Sequence, residues 1–188
     1  MRPLLFLLLL GLAGCVNVGQ GTSPSRHYLI PSLADQVPQV PEPDAGAASL
    51  TIGPVTLPGY LDRPQLVRRN GDRIEPAPFD RWGGPLGEQL GRVVAENLER
   101  LTPRFLLVGN GNYRLTLNLQ RLDAEARRIR LSLHWQLENR KGEQLARGRF
   151  DADDTLTDTS AEALVKGYGK LLEKFSRELA RQLVGLAL

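Results

Sequence analysis

A chain of 188 residues, 41% of them hydrophobic, holds enough apolar content for one domain of ordinary size. Its 24 Lys and Arg against 21 Asp and Glu leave a formal charge of +3, too weak a bias to point to nucleic acid even at a pI of 9.3. One cysteine and two histidines exclude a disulfide framework and any Cys-based metal site.

The chain starts MRPLLFLLLLGLAGC. Arg2 supplies a short positive region, Leu4 to Leu10 an apolar run, and Leu12-Ala13-Gly14-Cys15 a small-residue end. Those last four residues resemble the bacterial lipobox. The resemblance implies a signal peptide over 1–14, a diacylglycerol on the Cys15 thiol, cleavage before that residue, and an N-acyl chain on the new terminus. Small residues let the peptide enter a peptidase extended, and the thiol is the nucleophile for lipid transfer. The apolar stretch from Pro3 to Ala13 falls well short of the roughly 20 residues a spanning helix needs. The mature chain is therefore expected to be anchored to a membrane, and two or three acyl chains hold firmly where one does not. Val16 stands where an inner-membrane lipoprotein more often carries Asp. By that sorting rule the expected location is the periplasmic face of a Gram-negative outer membrane.

Residues 15–27 are expected to form a lipidated tether, polar and without periodicity from Asn17 to Arg26, and from Val16 to Arg26 it reaches at most about 40 Å. A single domain is expected over 28–188. His27 to Ile30 predicts a short first strand. The Pro- and Ala-rich stretch that follows, up to Ser49, predicts a surface loop or a disordered excursion. Leu50 to Leu57 regains strand character, with Pro54 marking an edge or a bulge. Next comes a Pro-Gly turn with Tyr60-Leu61 expected to be exposed. Gln65 to Arg69 is extended, and Asn70-Gly71 signals a hairpin into Arg73-Ile74-Glu75.

A first helix is expected from Gly84-Pro85, with Leu86, Leu90, Val93, Val94, Asn97, Leu98 and Leu101 at helical spacing, stopped by Thr102-Pro103. Phe105 to Val108 predicts a strand, and Asn110-Gly111 a second hairpin turn. Tyr113, Leu115, Leu117 and Leu119 alternate with polar residues, as do Ile129, Leu131, Leu133, Trp135 and Leu137. Gln144 to Phe150 is a weaker return strand. Thr159 and Glu162 have capping-box spacing before a long helix striped by Leu164, Tyr168, Leu171, Leu172, Phe175, Leu179 and Leu183. Two striped helices and a one-faced sheet predict an α+β two-layer sandwich. Its sheet would be antiparallel or mixed, with both helices on one face.

Catalytic signatures are missing: no G-x-S-x-G, no H-E-x-x-H and no P-loop. Gly109-Asn110-Gly111-Asn112 lies between strands, so it does not open a dinucleotide site. Asp151, Asp153, Asp154 and Asp158 lack the spacing of a calcium loop and are expected to solvate a loop before the last helix. His134 falls on a polar strand face. No catalytic residue, no metal and no cofactor beyond the lipid on Cys15 is expected. The residues of interface character are Tyr60, Leu61, Arg63, Pro64 and Trp82; Tyr60 and Trp82 could equally plug the ends of the sheet-helix core.

Around these residues the sequence resembles a family. Gly53-Pro54-Val55, the string Leu57-Pro58-Gly59-Tyr60-Leu61-Asp62-Arg63-Pro64-Gln65, Arg81-Trp82 with Pro85-Leu86, and Asn97-Leu98 are similar to the ABC-type transport auxiliary lipoproteins of the PqiC (YmbA) type. The order and spacing match from Tyr28-Leu29 to the final helix; the stretch from Ser32 to Ala48 is longer than usual. The resemblance implies a non-enzymatic outer-membrane lipoprotein beside an inner-membrane ABC transporter or PqiA-like permease and a periplasm-spanning MCE-domain protein. Together these would move phospholipid or other hydrophobic molecules between the membranes and support envelope integrity. It also implies docking of the MCE protein, assigned by position to Tyr60, Leu61, Asp62, Arg63, Pro64, Gln65 and Trp82, and a homo-oligomer as an option. The alternative is an envelope assembly or peptidoglycan-synthase-activating lipoprotein; a lipid-anchored hydrolase is disfavoured by the absent nucleophile motifs.

Overall fold

The computed structural model describes residues 24–37 and 39–186. The stretch expected to be a signal peptide, Cys15 and the expected tether up to residue 23 lie outside the described residues. The centre of the fold is an antiparallel hairpin of the two long strands whose alternation is plainest in the sequence. To number them in chain order, the elements are β1 (Arg26–Tyr28), β2 (Ala48–Thr56), β3 (Gln65–Asn70), β4 (Arg73–Trp82), α1 (Leu86–Leu101), β5 (Phe105–Leu107), β6 (Tyr113–Glu125), β7 (Arg128–Asn139), β8 (Gln144–Thr155) and α2 (Ala161–Val184).

β6 and β7 pair from Tyr113↔Asn139 to Glu125↔Arg128. Their alternation sends Leu115, Leu117 and Leu119 with Ile129, Leu131, Leu133, Trp135 and Leu137 to one buried face. β8 returns antiparallel along β7 and continues past Phe150 to Thr155. Asp151, Asp153 and Asp154, expected in a loop, therefore stand on a strand. Arg149, Arg128 and Lys174 respectively pair with them. Only Asp158 keeps the loop role, its carboxylate accepting the Ser160 N–H at 2.7 Å.

With β7 along one edge of β6, the other edge is shared by two strands laid end to end. β2 runs parallel to its first half, from Leu50↔Tyr113 to Thr56↔Asn118, and β3 meets its far end at Arg69↔Glu125. The register of β2 shifts between Ile52 and Val55, the bulge that Pro54 predicts. Asn70-Gly71 makes the expected hairpin, with Gly71 at φ +59°. β4 runs longer than expected, through Pro76 and Pro78, and its end pairs in parallel with β1. The strand expected from His27 to Ile30 starts one residue earlier, at Arg26 in the expected tether, and ends at Tyr28.

Asn110-Gly111 is not a hairpin turn. β5 pairs in parallel with Ala48–Leu50 of β2 and β6 pairs with β2 as well, so these two strands flank β2 and do not pair with each other. Residues 108–112 instead cross over β2. Thr51 Oγ1 donates to the Val108 carbonyl at 3.0 Å, and Ser49 Oγ accepts the Asn112 N–H at 2.9 Å. Gly111 passes so close that a Cβ there would lie 2.5 Å from the Ser49 carbonyl oxygen.

Both helices cover the apolar face, giving the expected two layers. The stripe of α1 is buried except at its half-exposed last residue Leu101, and Gln89 joins it. Every predicted stripe residue of α2 is buried. The cap of α2 falls one residue later than expected. Ser160 Oγ accepts the Ala163 N–H at 3.1 Å, while Glu162 accepts the Tyr28 hydroxyl at 2.8 Å. Thr159 and Glu162 therefore form no capping box. The Pro- and Ala-rich stretch is partly ordered: Ser32 and Asp35 box a short 3-10 turn over Leu33–Asp35. Leu33 is buried and its N–H donates to Asn97 Oδ1 at 2.8 Å, which seats the turn on α1. Burying one such leucine contributes about 1.5–3 kcal/mol.

Candidate docking site

The segment 57–64 joins two strands that lie in line along β6, so it has no distance to cover and leaves the sheet as a compact bulging loop. Two turns build it. The Leu61 N–H donates to the Pro58 carbonyl at 2.9 Å, and the Arg63 N–H donates to the Leu61 carbonyl at 2.8 Å. Turning back at Leu61 points that side chain inward, where only 2% of it is exposed. Trp82, at the end of β4, donates its backbone N–H to the Pro64 carbonyl at 2.7 Å and holds the exit of the loop. Its ring is 5% exposed and packs at a 6.3 Å centroid separation on Tyr168 of α2.

The candidate residues therefore divide. Leu61 and Trp82 are core side chains, which corrects the expected exposure of Leu61 and bears out the plugging role open to Trp82. Tyr60 is half-buried; burial pushes its hydroxyl pKa up, with a further push from the Asp123 carboxylate. Asp62, Arg63 and Pro64 are exposed, and Gln65 is half-exposed at the start of β3. The loop thus presents an acid, a guanidinium and a rigid proline on a rim whose underside is locked into the core.

Under this loop sits a group that the sequence does not single out. Asp123 lies between the buried Leu122 and Ala124, so its side chain leaves the sheet on the face opposite the helices. It is nevertheless only 2% exposed. Arg69 Nε and Arg121 Nε each donate to its Oδ2 at 2.8 Å. A buried carboxylate held by two guanidiniums is costly to break, and it ties β3 to β6 beside the loop. The sequence signal was a lone acid inside an apolar strand end, Leu122-Asp123-Ala124.

Next to the loop, an open cleft of about 810 Å³ lies between β2 and α1. β5 ends opposite Leu50, so Ile52, Val55 and Leu57 face this space, and Asp62 reaches its rim. The helix side carries Gly87, Gly91 and Ala95, one turn apart. Larger residues would close the cleft. A Cβ on Gly87 would already lie 3.1 Å from the Val55 carbonyl oxygen. Glu88 and Arg92 stand at the outer edge. The arrangement offers an apolar floor with charges at its margin, the make-up of a binding cleft. Among the described residues, no helix is long and apolar enough to cross a membrane.

A family model described as "ABC-type transport auxiliary lipoprotein component" matches residues 28–180. Two solved structures share the fold. One is the crystal structure of an uncharacterised protein, 17% identical, covering 86% of this chain and 99% of its own, with a TM-score of 0.72. The other is a Xanthomonas campestris protein of the DUF330 family, 15% identical, covering 85% of this chain and 98% of its own, with a TM-score of 0.67. No curated protein matches the chain.

Proposed function

The chain belongs to the ABC-type transport auxiliary lipoprotein components, and from that premise we propose that it is the outer-membrane member of an intermembrane lipid transport system, docking the end of a periplasm-spanning MCE-domain protein. The observation that carries this reading is the build of the 57–64 loop. Leu61 and the Trp82 backbone fix it from inside, while Asp62, Arg63 and Pro64 are left free on a rim beside an apolar cleft. A rigid, preorganised loop loses little entropy on association, which is what a docking element needs.

The lipid on Cys15 is the anchor in this reading: a diacylglycerol and an N-acyl chain hold the domain at the periplasmic face of the outer membrane. The tether then keeps the start of the folded domain within about 40 Å of that surface. The protein turns over no substrate; it positions a conduit. Co-purification tests the reading. The wild-type chain is expected to recover the MCE protein from solubilised envelopes, and Asp62→Arg with Arg63→Glu is expected to lose it. Recovery of a peptidoglycan synthase without the MCE protein contradicts it.

A further inference from the structure

Among the described residues β8 has β7 as its only strand neighbour, so its outer side is an open edge twelve residues long. Open edges of that length invite pairing with another strand. Which backbone groups face outward follows from the register. The Leu156 N–H donates to the Arg127 carbonyl at 2.7 Å, and the pairing continues in step from Arg128↔Thr155 to Leu137↔Ala146. In an antiparallel ladder every second residue bonds to the neighbour. Even-numbered residues of β8 therefore turn to β7, and odd-numbered ones turn their N–H and C=O groups to the open side.

The odd-numbered side chains also lie on the face away from the helices, and Arg147, Arg149, Asp151 and Asp153 are all exposed there. Their order is two cations then two anions, symmetric about Phe150. We propose that β8 is a self-complementary edge on which a second copy of this chain docks, antiparallel, with the two-fold axis at Phe150. That register sets Arg149 opposite Asp151 of the second copy and Arg147 opposite its Asp153, each twice. All four are opposite-charge pairs between residues whose backbone groups face each other. Sliding the copies so that Arg149 or Asp151 meets itself retains two attractive pairs and adds a like-charge pair at the axis. A slide by an odd residue number removes the backbone bonds altogether.

Charges usually blunt an edge by repelling any neighbour. Here their order favours one register, the one with four attractive pairs and no like-charge pair, over its neighbours. Arg149 already pairs with Asp151 within the chain and Arg128 with Asp153 at 3.3 Å, so association exchanges partners at those sites. Arg147 has no ion partner among the described residues and gains one. The backbone ladder supplies the affinity, and the charge order supplies the register. This inference is independent of the docking rim.

The test uses the full lipid-anchored chain in its membrane. Arg149→Cys and Asp151→Cys versions are expressed singly and together, then oxidised, with the unsubstituted chain as control for Cys15. A disulfide-linked dimer formed only by the mixture supports the register. Equal crosslinking by either version alone, or none in the mixture, overturns it. In detergent, Arg149→Asp is expected to weaken self-association about ten-fold, by turning attractive pairs into repulsive ones. Adding Asp151→Arg restores it by reversing the charge order. An unchanged sedimentation profile for Arg149→Asp, with retained circular dichroism, overturns the proposal as well.

Discussion

Asn97 and Ser176 join the two helices, the Asn97 amide donating to Ser176 Oγ at 3.2 Å with both residues fully buried. The other end of the same side chain accepts the Leu33 N–H, and Ser176 Oγ donates to the Leu172 carbonyl at 2.8 Å. One amide thus satisfies α1, α2 and the turn that precedes β2. Its contribution is more than a single hydrogen bond, because losing it strands several buried polar groups.

Asn97→Leu fills the same volume and leaves the Leu33 N–H without a partner. We expect a loss of about 2–4 kcal/mol, measured by urea unfolding. We also expect earlier proteolysis around Leu33–Val37, because Leu33 loses its seat on α1. Unfolding at the wild-type midpoint contradicts the role given to Asn97.

Gly111 and Gly109 form a matched pair in the crossing over β2. A Cβ on Gly111 meets the Ser49 backbone, and a Cβ on Gly109 meets nothing within 4 Å. Gly111→Ala is expected to cost about 1–3 kcal/mol, the range for forced overpacking. Gly109→Ala is expected to stay within about 0.5 kcal/mol of wild type. Thermal unfolding of the two variants side by side checks this, and equal effects contradict a close crossing.

Glu162 responds to pH through Tyr28. The Tyr28 hydroxyl, donating to its carboxylate, holds the Glu162 pKa below the usual range, with lesser help from Arg26. A depressed folded-state pKa contributes stability above the ordinary carboxylate range and loses it as pH falls through the folded value. Tyr28→Phe should therefore raise the Glu162 pKa toward its ordinary value, as read by an NMR titration of the carboxyl carbon. An unmoved titration means that the bond does not hold in solution.

Much of this fold was legible because its longest elements carry a clean period. The alternation of Tyr113 to Leu119 and Ile129 to Leu137 located the central strands, and the α1 and α2 stripes located both helices and their buried faces. What the chain did not disclose was pairing between distant segments. Asn110-Gly111 announces a turn, yet the strand it crosses, β2, lies sixty residues earlier at Thr51. Thr159 and Ser160 both carry the hydroxyl a cap needs, and the spacing to Glu162 points to Thr159, but Glu162 is taken by Tyr28 from the distant β1. β8 past Phe150 is mostly acids, with Ala152 its one apolar residue, so it has little apolar face to announce a strand.

At the candidate site, the string from Leu57 to Gln65 marked the right loop but not its orientation. A loop has no periodicity, so nothing in the sequence told Leu61 inward from Asp62 outward. Asp123, which braces the loop's base, was hidden for the complementary reason: it sits in a strand and is buried by tertiary contacts from Arg69 and Arg121.

Cys15→Ser removes the thiol that the lipobox requires. The expected result is an unlipidated chain that leaves the membrane fraction and fails to restore envelope integrity in a deletion strain. Full rescue by the soluble periplasmic form contradicts the anchor's part in the mechanism.

The most direct measurement is site-specific photo-crosslinking in intact cells from Arg63, on the exposed rim, with the buried Leu61 as its neighbour control. The docking account predicts that the Arg63 probe captures the MCE-domain protein and that the Leu61 probe captures only this chain. If the Arg63 probe captures no MCE-domain protein while the chain is folded and membrane-anchored, the docking account is wrong.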